Sequence, residues 1–571
     1  MSSPYESRFW KKNWDPEVKD IDPVEFETTY PKFVRETFDK FPNNMALAYQ
    51  GLEISFEDVD KRSNQFANML IENGFKKGDA VGINLPNIPE YIYSVVGTLK
   101  AGCIVSGVSP LMSDVQMQYQ IDDLGKGGKQ TALVTLDAIF EHRLKKIAPT
   151  LPQLKVVIAT SAIGSFPKEQ QEKIKAVQEI PSGIVTPLEG KVVYNFQDDV
   201  LTKFSDELPK LDISPDDIGW IQYTGGTTGP PKGAMLSHRN CMSNIISIKK
   251  WLQWEEGEGM LLSGFPMFHI AGLTVAESAL ALGWGQILIA NPRDALHICN
   301  QIKTYNPTVL VNVPSLYQIL INFRKFKRLD HSKLRMCISA ASPFPKESQE
   351  KLEEIVGQGK LLELYGMTEL SPVATMNLSI GKKKLGTVGL PIQNVKLKIV
   401  DPDTEEEVPL GQPGEICVAG PLVMQGYYNK PQETAKAIDK DGYMHSGDVG
   451  LMDEDGYVKI VDRTKDMIIV GGFKVFSAKV EDTLAKHPAI GMIALVGEPN
   501  PDRPGSEIVN AYIQLDPDFA YDGNEEALKE DFINFAKDNC APYEVPKKVH
   551  IMKDIPLTAV GKIDKKVFRK S

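Results

Sequence analysis

The chain has 571 residues, 42% of them apolar and 24% charged, an ordinary make-up for a soluble globular protein of about two to four domains. A formal net charge of −11 excludes general affinity for nucleic acid, which needs a basic face. The six cysteines form no CxxC pair and no zinc-like spacing, so reduced thiols in a cytoplasmic protein are expected.

The N-terminal stretch MSSPYESRFWKKNWDPEVKD is polar, and no signal peptide is expected from it. Val59 to Phe75 carries apolar residues at helical spacing and ends at Gly74. DAVGINLPN then reads as a short buried strand and IPEYIYSVVGTLKAG as a helix. Further strands are expected at Leu154 to Thr160, Ile218 to Gly225, Gly285 to Asn291, Thr308 to Val313 and Leu334 to Ala340. Such apolar runs between helices predict parallel strands covered on both faces. The window from Ala271 to Ala290 is the most apolar, but Glu277, Gln286 and its glycines make it a buried helix, turn and strand, so no transmembrane segment is expected. Peripheral contact with a membrane stays open, as do monomer and homodimer.

The texture changes after about Gly386. VKLKIVDPDTEEEVPLGQPGEICVAG reads as two strands joined by a polar turn. GYVKIVDRTKDMIIV carries a charged break, Asp462 to Asp466, between two apolar runs. The chain beyond it suffices for one small α/β domain. The expected division is residues 1–462, a hinge at 463–466, and 467–571.

Between Tyr223 and Gly233 lies YTGGTTGPPKG, at the end of a predicted strand. Glycines let a backbone approach an anion and aim N–H groups at it. The threonine hydroxyls add donors and Lys232 a point charge. A Walker loop would need G-x4-G-K-[ST] opening into a helix. Here Pro230 and Pro231 precede the lysine and Gly233 follows it, so the loop reads phosphate in another way.

This stretch resembles the phosphate loop of the adenylate-forming superfamily, which holds acyl-CoA synthetases, peptide-synthetase adenylation domains and firefly luciferase. The double glycine after Thr224 looks most like bacterial long-chain fatty acid–CoA ligases. Five further motifs follow in family order: PMFHIAGLT, SAASP, LYGMTELSP, YMHSGDVG with VDRTKDMIIVGGFKV, and PLTAVGKIDKK. The resemblance spans roughly residues 30 to 571. It implies a large α/β domain of stacked mixed and parallel sheets with a β-barrel-like subdomain, and a small mobile α/β C-terminal domain.

It also implies roles, residue by residue. Thr224, Gly225, Gly226, Thr227, Thr228, Gly229 and Lys232 would clamp the ATP phosphates. His269 would lie near the acyl pocket and the nucleotide. Ala340, Ala341 and Ser342 would let adenine lie against backbone, and Leu364, Tyr365, Gly366 and Met367 would flank it. Thr368 would bond the α-phosphate, while Glu369 and Thr224 would hold Mg²⁺. Asp448 and Arg463 would take the ribose, and Lys465 would be the pivot. Gly471 and Gly472 would pass the pantetheine arm of coenzyme A, and Lys562 would act in adenylation. Leu364 replaces the usual glycine, and Leu273 stands where some long-chain enzymes carry a gating tryptophan.

The implied reaction joins a carboxylic acid to ATP as acyl-AMP, releasing pyrophosphate, and then to coenzyme A as a thioester. A medium- or long-chain fatty acid is the expected substrate. A branched, alicyclic or aromatic acid is the alternative, as is loading of a carrier protein in place of coenzyme A. A luciferase-like oxygenase would share the first step and carries no motif of its own to check, whereas retention of Lys562, Glu369 and Asp448 together argues against a non-enzymatic nucleotide binder.

Overall fold

The computed structural model describes residues 3–571 apart from 178, 225–229, 343, 472, 502, 504–505, 518, 559–562 and 570–571. Local chemistry sets its first long helix. Ser55 accepts from the Asp58 N–H and the Asp58 carboxylate reaches back, so the helix runs Phe56–Glu72. It begins three residues before the expected start at Val59. The cap, and not the first apolar repeat, fixes its origin.

Two large sheets form the N-terminal body. One orders eight strands as Gly426–Tyr427, Lys232–Ser237, Ile218–Thr224, Ile104–Gly107, Ala80–Asn84, Thr131–Leu136, Leu154–Thr160 and Val192–Asn195. Six of them, from Ile218–Thr224 to Val192–Asn195, run parallel, and the other two add antiparallel. The second sheet has nine strands, with parallel Met45–Tyr49, Gly285–Leu288, Met260–Ser263, Val309–Asn312, Met336–Ser339 and Leu361–Gly366 inside antiparallel edges. The parallel cores are the continuous apolar runs of the sequence, which need cover on both faces.

Helices Pro89–Lys100, His238–Leu252 and Ile270–Ala281 belong to one apolar core with strands of both sheets. Every residue of Pro89–Lys100 is buried, including Lys100, whose ammonium binds Asp60 at 2.6 Å and Asn64 at 2.7 Å. A helix apolar or satisfied all round is what a layer between two sheets requires.

The subdomain expected after Gly386 is a four-stranded antiparallel sheet ordered Lys396–Val400, Gly414–Ala419, Met444–Met452 and Val458–Arg463. Beyond it, hairpin Ile468–Val470/Phe473–Val475, helices Ser477–Leu484 and Glu525–Asn539, and sheet Ile490–Pro499/Glu507–Leu515/Lys548–Met552 share a core of their own. Asp462 bridges the two bodies, accepting from Ser477 Oγ at 3.2 Å. Among the described residues no helix is long and apolar enough to cross a membrane.

Candidate active site

The phosphate-loop segment connects two antiparallel strands. Thr224 and Lys232 are register partners across that hairpin, and Thr224 Oγ1 donates to the Lys232 carbonyl at 3.4 Å. The pairing holds a hydroxyl and an ammonium-bearing residue side by side at the mouth. Tyr223 anchors the strand end by donating to Asp123 at 2.7 Å. Gly233 is demanded by packing, since a Cβ there would lie 2.6 Å from Ile221 Cγ2. Gly225, Gly226, Thr227, Thr228 and Gly229 lie outside the described residues.

Against this hairpin packs the short helical turn Thr368–Leu370, which follows strand Leu361–Gly366. Gly366 ends the strand where any Cβ would meet the Pro372 carbonyl at 1.8 Å. Leu364 pairs with Met376 in the ladder, and the Met367 N–H donates to the Pro372 carbonyl at 3.0 Å. Thr368 and Glu369 are buried, Glu369 to 5% exposure, so Glu369 is no surface helix cap. Its Oε1 accepts the Tyr427 hydroxyl at 2.7 Å and its carbonyl accepts the Met424 N–H at 2.9 Å. Burial pushes the Glu369 carboxyl above its ordinary range, and the Tyr427 bond and the Lys232 charge pull it back.

Lys232 pairs with Glu433 at 3.2 Å and lies 4.4 Å from the centre of the Tyr427 ring. Tyr427 therefore touches both the buried carboxylate and the loop lysine. Neither Tyr427 nor Glu433 stood out in the sequence. The only signal was their place in the GYYNKPQET run, which matches the family beyond the motifs.

A second constellation surrounds Asp448. Its Oδ2 accepts the Tyr365 hydroxyl at 2.8 Å, and its Oδ1 pairs with Arg463 Nε at 2.9 Å. Asp448 and Arg463 are cross-strand partners. The Asp448 N–H donates to Ser446 Oγ at 3.1 Å, and the Gly447 N–H donates to Glu415 Oε1 at 2.8 Å. Asp448 is buried while Arg463 is partly open. The neighbouring Asp448 charge raises Arg463 above its ordinary value. A fixed carboxylate of this kind suits two adjacent sugar hydroxyls, since each oxygen keeps a lone pair beyond the one already engaged. Tyr365, which holds Asp448, and Glu369 stand four residues apart at the end of strand Leu361–Gly366, so one segment serves both constellations.

The remaining candidates fall as follows. Ala340 and Ala341 follow strand Met336–Ser339 directly, and Ala341 takes φ 75°, a bend at the strand's carboxyl end. Ser342 is half-buried beside them. His269 caps helix Ile270–Ala281, with Nδ1 accepting the Ala271 N–H at 3.3 Å, so the ring proton sits on Nε2. Lys465 is exposed between the two bodies. The Gly471 N–H donates to Ser506 Oγ at 2.8 Å. Gly472 and Lys562 lie outside the described residues.

The donor set fits magnesium. Glu369 and Thr224 offer hard oxygens beside a phosphate-reading loop. A carboxylate raised by burial is also a group whose ionised form a divalent cation would stabilise.

The chain resembles known proteins along nearly its whole length. The family model for AMP-binding enzyme matches residues 34–428, and that for the AMP-binding enzyme C-terminal domain matches residues 479–562. A long-chain-fatty-acid–CoA ligase of Bacillus subtilis is 34% identical over 94% of this chain and 93% of its own length. One from Escherichia coli is 31% identical over 98% of both. Among solved structures, ATP-bound MatB from Rhodopseudomonas palustris is 26% identical, with TM-score 0.76 over 95% of this chain and 98% of that one. The anthranilate–CoA ligase AuaEII in complex with anthranoyl-AMP shares the fold at 22% identity and TM-score 0.81, over 96% of this chain and 98% of that one. The chain therefore belongs to the AMP-binding, adenylate-forming enzyme family.

Proposed function

We propose that the protein is an AMP-forming acid–CoA ligase that activates a medium- or long-chain fatty acid as acyl-adenylate and transfers it to coenzyme A. One observation carries the chemistry: Thr224, Lys232 and buried Glu369 cluster beside the Tyr365–Asp448–Arg463 clamp. One end suits a triphosphate and the other a ribose. The choice of acid rests on 29–34% identity to bacterial long-chain-fatty-acid–CoA ligases over 94–98% of the chain.

The first half-reaction brings a carboxylate to a polyanion, so charge neutralisation and in-line placement dominate. Lys232 supplies a positive charge at the phosphate end once ATP replaces Glu433 as its partner. Glu369 and Thr224 would hold the magnesium ion that binds with ATP, and that ion offsets phosphate charge. Asp448 fixes the ribose, and Tyr365 and Arg463 fix Asp448. Lys562 bridges the attacking carboxylate and the α-phosphate region. The carboxylate oxygen bonds to the α-phosphorus and the bond to the β-phosphate oxygen breaks, releasing pyrophosphate.

In the second half-reaction the coenzyme A thiol attacks the acyl carbon and AMP leaves with the anhydride oxygen. Residues 467–571 turn about Lys465 between the two steps. The separate cores of the two bodies and the exposed position of Lys465 support this reading. Hinge residues at element ends absorb such changes.

A panel of straight-chain acids from two to eighteen carbons, with cyclic and aromatic acids beside it, tests the proposal by AMP release and thioester formation. The expected maximum lies at medium or long chains and requires free coenzyme A. A maximum on an aromatic acid would instead favour the kind of substrate named for the potato 4-coumarate–CoA ligase, which is 29% identical over 90% of this chain.

A further inference from the structure

The four-stranded sheet carries a side-chain cluster that the ligase chemistry does not use. Glu415 and Cys417 sit two apart on strand Gly414–Ala419, so they share a face. Cys417 pairs across the ladder with His445. The fold thus gathers residues 28 apart whose spacing in the sequence is unlike any zinc motif. Cys417 Sγ lies 3.5 Å from His445 Nδ1, and the same nitrogen lies 3.0 Å from Glu415 Oε2. All three ligand atoms fall within 4.8 Å of one another.

The sulfur–nitrogen separation matches a metal polyhedron. Bonds of about 2.3 Å to sulfur and about 2.0 Å to nitrogen at tetrahedral angles set S and N about 3.5 Å apart. The charge balance also favours a cation. Glu415, Asp439 and Glu405 act on both Cys417 and His445, while Lys398, which acts on Cys417, is the opposing cation. Lys398 is itself 3.7 Å from Asp439. The other imidazole nitrogen, Nε2, faces the Asp439 carboxylate at 3.7 Å, an electrostatic contact longer than a hydrogen bond. Cys417 is buried, whereas the Glu415 and His445 side chains keep 13% and 18% exposure, which leaves a way in for an ion and a water.

We propose that Glu415, Cys417 and His445 form a binding site for a zinc-class divalent cation, with water in the fourth position. Thiolate and imidazole select such an ion over magnesium, which demands an octahedron of hard oxygens. Binding releases the Cys417 thiol proton to solvent. Imidazole ligates through Nδ1 and keeps its proton on Nε2, toward Asp439. Glu415 binds through Oε2 and retains the Gly447 N–H on Oε1. Because Gly447 precedes Asp448, the ion stiffens the turn that presents the ribose carboxylate.

Metal-free full-length protein titrated with Co²⁺ tests this. A thiolate-to-cobalt charge-transfer band saturating at one equivalent is expected, bleached by Zn²⁺. It should vanish in Cys417→Ser and fall at least tenfold in apparent affinity in His445→Gln, yet persist in Cys540→Ser. X-ray absorption at the zinc edge of the wild-type protein needs no variant, and should show one sulfur among otherwise light ligands. No band, a band that survives Cys417→Ser, or a zinc shell without sulfur would overturn the site and leave the cluster as a His445–Glu415 ion pair.

Discussion

Asp448 illustrates how one carboxylate is made into a fixed acceptor. Tyr365 and Arg463 each hold one of its oxygens, so its position is set before any sugar arrives. A hydrogen bond to a charged group contributes about 1.5–3 kcal/mol. Asp448→Asn is therefore expected to raise the KM for ATP by about 10- to 100-fold. Tyr365→Phe should raise it by less, about 3- to 10-fold, because Arg463 still holds the carboxylate. Initial-rate kinetics with varied ATP check both. An Asp448→Asn change that lowers kcat and leaves KM untouched would remove the ribose assignment. Lys232 gives the opposite case. Its partner Glu433 occupies the charge that phosphate must claim, and a solvent-screened pair of this kind is readily exchanged. Glu433→Gln should tighten ATP binding by about 2- to 5-fold in calorimetry. A tenfold weakening would mean that Glu433 positions Lys232 and does not compete for it. Lys562→Ala should abolish adenylation, while supplied acyl-AMP is still converted to thioester. Equal loss of both half-reactions would contradict the role given to that lysine.

At the scale of elements, the joint between the two bodies is a small set of polar contacts. Asp462, on strand Val458–Arg463, accepts from Ser477, and the pairs Lys474–Asp403 at 3.2 Å and Lys486–Glu347 at 3.5 Å also cross the joint, while Lys565 holds Ser477 and Glu481 from within the C-terminal body. Arg569 pairs with Asp466 across the same joint. A rotation of residues 467–571 about Lys465 has to break the Asp462–Ser477 bond, since the two residues lie on opposite sides of the pivot. Lys465→Pro fixes φ at one value and removes an N–H. It should spare acyl-AMP formation and cut thioester formation at least tenfold in single-turnover assays. Loss of adenylation alone would place the pivot elsewhere. Ser477→Ala should alter the balance between half-reactions without loss of either, because it removes the bond to the Asp462 carboxylate and the acceptor of Lys565 without touching a residue of the site.

Over the whole molecule, several carboxyls sit where their ionised form is costly. Burial raises Glu277 to about 8, Glu363 to about 8 and Glu90 to about 7. A folded-state value above the unfolded one gives stability that is full below the unfolded value, near 4.5, and is lost as pH rises through the folded value. These three groups therefore weaken the fold between about pH 4.5 and pH 8. Glu277 accepts Trp220 Nε1 at 2.9 Å, an acceptor role a glutamine carbonyl can keep. Glu277→Gln should leave the Tm near pH 5 unchanged and raise it at pH 8, by about 1 °C per kcal/mol regained in a body of this size. A gap that does not widen with pH would remove Glu277 as its source.

Much of this architecture is legible in the sequence, for physical reasons. Leu154–Thr160 forms over its expected span because a continuous apolar run needs two covered faces. Ile270–Ala281 is helical and buried despite its hydropathy, since Glu277 finds an indole partner there. The apolar runs on either side of the charged break, Asp462 to Asp466, contribute to different hydrophobic clusters. What was not legible depends on distant pairing. Lys232 and Glu433 are 201 residues apart, and Tyr427 reaches Glu369 across 58. No local period announces such contacts, because the antiparallel join of Gly426–Tyr427 to Lys232–Ser237 creates them.

The Thr224–Lys232 pairing also bears on how freely this region can change. The two residues are held to each other by ladder hydrogen bonds that lie outside the connecting residues 225–231. A residue added or removed within that connection alters its length but leaves the hydroxyl and the lysine facing one another. A residue added within Lys232–Ser237 turns every later side chain of the strand to the opposite face and undoes the burial of Leu236 and Ala234. Length variation in the connection is therefore a route for tuning nucleotide affinity at little structural risk, whereas the strands on either side permit substitution but not insertion.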